Sequence, residues 1–165
     1  MRSTFSSLAI RTRVFIFLFA STALFIWSFS SPTRAVVSPD VVVSQIYGAG
    51  GNSGASFQND FIELFNRGNS TVNLSGWAVQ YASATGTTWS KTDLSGMLAP
   101  GKYLLIQQAG GANGSPLPTP DIAGTIAMAA TAGKVVLTNT NALITGGTSC
   151  PSGATVVDIL GYGTT

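Results

Sequence analysis

Asp60-Phe61-Ile62-Glu63-Leu64-Phe65-Asn66, closed by the turn Arg67-Gly68-Asn69, is the stretch on which the reading of this chain rests. Its aromatic and aliphatic side chains, bounded by turn residues, read as a strand. Side chains alternate along a strand, which sends Phe61, Glu63 and Phe65 to one face and Asp60, Ile62, Leu64 and Asn66 to the other. Neither face is wholly apolar. A Glu63 turned inward or set at a strand edge needs backbone N–H groups or a cation, because an unpaired buried carboxylate is strongly destabilising.

Working outward, Val36 to Pro39 is a short lead-in and Val41 to Tyr47 is β-branched enough for a first strand. Between the two strands, Gly48 to Ser56 carries Gly48, Gly50, Gly51 and Gly54 and reads as a flexible connector. Downstream, Thr71 to Leu74 is a short extended piece and Ser75-Gly76 a corner. Trp77 to Tyr81 then places Trp77, Val79 and Tyr81 on one face, and Thr87 to Asp93 follows with Trp89 as its bulky member. Ala99-Pro100-Gly101 is a tight turn feeding Lys102 to Gln107, and Ala109 to Pro120 is one long loop. Thr125 to Met128, Lys134 to Thr138 and Thr155 to Leu160 supply the last strands. No window after the leader sustains a capped 3.6-residue apolar period. The expectation is an all-β sandwich with hairpin or Greek-key connections, its core drawn from Trp77, Trp89, Phe61 or Phe65, Tyr103, Leu105 and Val136.

The whole chain has 165 residues, room for one domain, and no histidine. That composition excludes Ser-His-Asp and Cys-His nucleophiles and every His-ligated metal site. The formal charge of +2 is misleading, because four of the eight basic residues (Arg2, Arg11, Arg13 and Arg34) precede position 36. From there on, Arg67, Lys91, Lys102 and Lys134 face six carboxylates, a net −2 that leaves no basic footprint for nucleic acid.

Residues 1–35 read as a signal peptide with a signal helix. Basic residues precede the apolar run Val14 to Phe29, Ser30-Ser31-Pro32 breaks it, and Thr33 and Ala35 are small residues flanking a cleavage point after Ala35. The alternative, a retained anchor, asks for about 20 apolar residues, and this run is shorter and interrupted by Ser21 and Thr22. A secreted or cell-surface location follows, with membrane contact only through the signal segment. The division is therefore 1–35 signal peptide, 36–40 lead-in and 41–165 folded domain. Cys150 is the only cysteine, unusual for an oxidising compartment. Either its thiol is free, or its partner lies beyond Thr165 in a longer parent chain. The end of the sequence just after a strand-like run favours the second.

The run Asn59 to Gly68, followed by Val72-Asn73-Leu74-Ser75-Gly76-Trp77, then Ala99-Pro100-Gly101-Lys102-Tyr103 and Asp158-Ile159-Leu160-Gly161-Tyr162, resembles the lamin-tail domain family in four spaced motifs from Val41 to Tyr162. The resemblance implies an immunoglobulin-like β-sandwich without enzymatic activity or cofactor. It implies a structural signature of Asp60, Ile62, Glu63, Leu64, Asn66, Leu74, Gly76, Trp77, Pro100, Gly101 and Asp158. Tyr47-Gly48-Ala49-Gly50-Gly51-Asn52-Ser53-Gly54 is similar to that of secreted bacterial members, which often precede an endonuclease/exonuclease/phosphatase-type domain. In such relatives a second cysteine commonly follows the Gly-Tyr-Gly-Thr-Thr run, so the resemblance pairs Cys150 with a residue beyond Thr165 and a domain truncated at its C-terminus.

Three chemical readings compete with plain structure. Asp60 and Glu63 could form a carboxylate pair for Ca²⁺ or acid/base work, but their odd spacing separates them across a strand. The Gly48–Gly54 loop could cradle a phosphate through its amides, but lacks a Gly-Lys-Ser/Thr ending and a following helix. Trp77, Tyr81 and Trp89 could make an aromatic platform for carbohydrate or single strands, but are better placed in a core. The functional expectation is a noncatalytic interaction module binding a protein, surface or polymer. The alternatives are an N-terminal piece of a larger secreted nuclease or phosphoesterase, and a surface assembly domain with exposed edge strands.

Overall fold

Among the residues that the computed structural model describes, 40–146 and 150–164, the chain forms β1 Val41–Tyr47, β2 Asn59–Asn66, β3 Val72–Asn73, β4 Ala78–Ser83, β5 Ser90–Asp93, β6 Met97–Leu98, β7 Tyr103–Gly110, β8 Ile122–Ala123, β9 Gly133–Thr138 and β10 Val156–Tyr162. No helix occurs among them. The signal segment and Thr165 lie outside the described residues.

Two four-stranded sheets, ordered β1-β2-β7-β8 and β10-β9-β4-β5, make the layers, and β3 and β6 pair separately. All ladders are antiparallel except the short parallel pairing of β7 with β8. This is an all-β, immunoglobulin-like sandwich. The inward faces follow from alternation: Val41, Val43, Ile62, Leu64, Leu104 and Ile106 from the first sheet meet Val79, Tyr81, Val135, Leu137 and Val157 from the second in one buried cluster. Leu74 is fully buried in it, and Trp77 packs against its margin.

The second sheet also covers its outer face. Ala82, Trp89, Val136 and Val156 form a separate cluster there, with Ile144 and Ile159 packed against it. Gln80, fully buried, anchors the covering segment by donating from Nε2 to the Ala142 carbonyl at 2.9 Å and accepting the Ile144 amide on Oε1 at 2.9 Å.

Side chains close the seams between the sheets. β1 is an edge strand whose alternate amides point away from β2, and the Val43 amide so directed donates to Asp158 of β10 at 2.8 Å. A Cβ on Gly48 would lie 3.0 Å from the Tyr162 hydroxyl, so β1 and β10 lie side by side with the chain running the same way in both. On the other seam Thr92 of β5 donates to Gln108 of β7 at 3.0 Å.

Three expectations change. Thr125 to Met128 is not a strand, although Ile126 and Met128 are buried. Side chains from both sheets take its amides: Gln108 accepts from Ile126 at 3.0 Å, Asp60 from Met128 at 2.8 Å and the Tyr81 hydroxyl from Ala129 at 2.9 Å. Its apolar pattern marks burial as a strap across the end of the sandwich, not membership of a ladder. Tyr103 and Leu105 are not core residues: they point outward from β7, opposite the core residues Leu104 and Ile106, and Tyr103 is 59% exposed. The Gly48–Ser56 loop is tied down rather than free, with Gly51 donating to Phe57, Ala55 to Asn52 and Ser56 to the Tyr47 hydroxyl. A Cβ on Gly50 would fall 2.1 Å from the backbone of Asn59 and Asp60, so only glycine allows the loop to lie against β2.

Candidate functional site

The carboxylates come first, because only they could carry acid/base or metal chemistry in a domain without histidine. Asp60 is 5% exposed and faces inward, accepting the Gly50 and Met128 amides at 2.8 Å each. Burial raises its carboxyl above the ordinary 3.8, against the opposing pull of those two N–H groups. Glu63 sits on the opposite face of β2, half-buried, where it accepts the Ser44 hydroxyl at 2.7 Å. The two do not converge. Among the described residues no group of three or more His, Cys, Asp and Glu is placed to hold a metal.

Beside Asp60, the Tyr162 hydroxyl donates to the Ala129 carbonyl at 2.6 Å, and Tyr81 accepts the amide of the same residue. Burial pushes the Tyr162 phenol well above its usual range, helped by Tyr81 and by the charge of Asp60. A phenol so disfavoured as an anion is a clamp, not a base. In the Gly48–Gly54 loop, read as a possible phosphate cradle, the Gly51 and Asn52 amides donate to the Phe57 and Ala49 carbonyls, and the Gly50 N–H already meets the Asp60 carboxylate.

The remaining signature positions serve the other end of the sandwich. Asn66, fully buried, donates to the carbonyls of Ser70 and Leu98 and accepts the Gly68 amide, while its backbone pairs with Gly101 and Lys102. It thereby joins the turn after β2 to the Ala99–Gly101 turn, where Pro100 precedes Gly101 at φ +68°. Gly76, at φ +83°, turns the corner that sets Leu74 and Trp77 on the core. Ile62 and Leu64 are core, and Asp158 holds the β1–β10 seam. Cys150 is an exposed free thiol.

No aromatic platform forms from Trp77, Tyr81 and Trp89. Tyr81 faces the main core, and Trp89 is buried under the second sheet's outer cluster with the Lys134 ammonium 5.8 Å from its ring. A platform exists elsewhere. Register aligns three outward rows across β1, β2 and β7: Val42–Phe65–Tyr103, Gln45–Glu63–Leu105 and Tyr47–Phe61–Gln107. At one end Tyr47 stacks on Phe61 at 5.6 Å and meets Phe57 edge-on at 5.5 Å. At the other Phe65 lies 4.6 Å from Tyr103. Tyr103 and Gln45 are exposed, Val42, Tyr47, Glu63, Phe65, Leu105 and Gln107 are half-buried, and Phe61 is buried beneath Tyr47 and Phe57. The alternation of β2 already separates Phe61 and Phe65 from Ile62 and Leu64. What the sequence hides is that Tyr103 stands opposite Phe65, and Tyr47 opposite Phe61.

No curated protein matches the chain. The family model described as the Lamin Tail Domain matches residues 35–164, a span that includes every strand described above. With that match over most of its length, on an immunoglobulin-like sandwich, the chain belongs to the lamin tail domain family.

Proposed function

We propose that this chain is a noncatalytic interaction module of a secreted or cell-surface protein, and that the outer face of the β1-β2-β7 sheet is where it binds. The carrying observation is the contrast between the two outer faces. The second sheet packs Ala82, Trp89, Val136 and Val156 against the chain's own Ile144 and Ile159, whereas the first, although it buries Phe61, presents Tyr103 at 59% exposure beside the half-buried Phe65, Leu105 and Gln107. Contiguous exposed apolar surface with a polar rim is the usual mark of an interaction site. The leader supports export, and the roles of Asp60, Asn66, Gly76, Gly101 and Asp158 support a signature that maintains the scaffold.

The test is saturable binding of the purified chain to the envelope fraction of the cell that makes it. Binding that weakens in Tyr103→Ala is the expected result; absence of binding, or equal binding by the variant, refutes the reading. Export is checked separately by the N-terminal residue of protein recovered from the medium, expected at Val36.

A further inference from the structure

Resting on that reading, we infer that the partner of the outer face is a neutral polysaccharide. The array extends along β2, and it alternates ring with hydrogen-bonding group. At one end of the array Phe65 lies against the exposed Tyr103, and at the other the half-buried Tyr47 stacks on Phe61, which is itself only 6% exposed; Phe61 and Phe65 are four residues apart on one strand, about 13 Å at the usual rise. A short oligosaccharide bridges that span. Between and beside the rings stand Gln45, Glu63 and Gln107, whose amides and carboxylate match sugar hydroxyls. Pyranose rings have apolar C–H faces and hydroxyl edges, so the array complements them in both respects.

Charge decides against the other occupants. Glu63 is the only ionisable carboxylate or cationic group among the nine positions of the three rows, so the array offers a polyanion nothing to neutralise. A second copy docked face to face about a two-fold axis through the centre of the array would bring Glu63 against its own symmetry mate, a like-charge contact. A peptide added as a strand needs a sheet edge, and β2 at the centre of the array is paired on both sides.

Native gels cast with hydroxyethylcellulose, xylan or glucomannan test the assignment, with alginate and duplex DNA as anionic comparisons, using the purified full chain. Retardation by at least one neutral polymer, unchanged by added salt, is expected. Tyr103→Ala should weaken it about tenfold, equivalent to about 1.4 kcal/mol. Because Tyr103 is exposed, that variant keeps the fold; Gln107→Ala provides a second reading of the same surface and should also weaken retardation. No retardation by any neutral polymer, retardation only by alginate or DNA, or equal retardation of wild type and Tyr103→Ala overturns the inference. So does a concentration-dependent dimer in sedimentation that Tyr103→Ala abolishes. If the glycans fail while envelope binding persists, the polysaccharide assignment falls and the interaction reading stands; if both fail, both fall.

Discussion

Asp60 shows how a single side chain can look catalytic and be structural. It is a buried carboxylate with a raised pKa, yet both its oxygens are bound by backbone amides from two segments that have no other partner for them there. Asp60→Ala should cost about 3 kcal/mol in urea denaturation, because it orphans two buried N–H groups. The pH dependence has a definite sign. Since the native carboxyl holds its proton more tightly than the unfolded one, its contribution to stability is complete below 3.8 and declines as pH rises through the native value. Asp60→Asn cannot titrate, so its stability deficit relative to wild type should shrink as pH rises through that window. A constant deficit would contradict the shift. Tyr103 behaves oppositely: Tyr103→Ala should move the unfolding midpoint little, while Leu104→Ala, its buried neighbour, should cost about 2–5 kcal/mol.

At the scale of elements, alternation and turn chemistry made most strands legible. Val41–Tyr47 is a strand as read, and the reading of Asp60 to Asn66 misses only Asn59. The sandwich class followed from the absence of any helical period. Alternation names two faces but does not say which is covered, so Tyr103 and Leu105 pass for core in the sequence although it is Leu104 and Ile106 that face the other sheet. Thr125 to Met128 resembles a strand because its apolar residues report burial, while the partners of its amides and of the next one, on Gln108, Asp60 and Tyr81, are remote in sequence. The candidate surface was hidden for the same reason: it depends on register between β1, β2 and β7. The Gly48–Ser56 loop makes its own prediction. Gly50→Ala should cost about 1–3 kcal/mol through collision with backbone, and Gly54→Ala, open but at φ +79°, about 1–2 kcal/mol through left-handed strain. Thermal unfolding of the two variants checks both values.

For the molecule as a whole, the main core is contributed by both sheets, so neither sheet is stable alone. Trp77 lies at the margin of that core and Trp89 in the outer cluster of the second sheet, which makes them separate reporters of one transition. In Trp77→Phe and Trp89→Phe variants, fluorescence and circular dichroism should give coincident denaturation midpoints. A separate early transition seen by Trp89 would mean that the outer cluster melts independently.

The seam between β1 and β10 has one more effect. Because these two strands run in the same direction, the chain enters the sandwich near Val41 at one pole and leaves near Tyr162 at the other, roughly 20 Å away at the usual strand rise. The two ends of the folded module therefore face opposite ways, like the two ends of an axle. The broad face of the first sheet would then lie along the line between them, open to a long polymer running past.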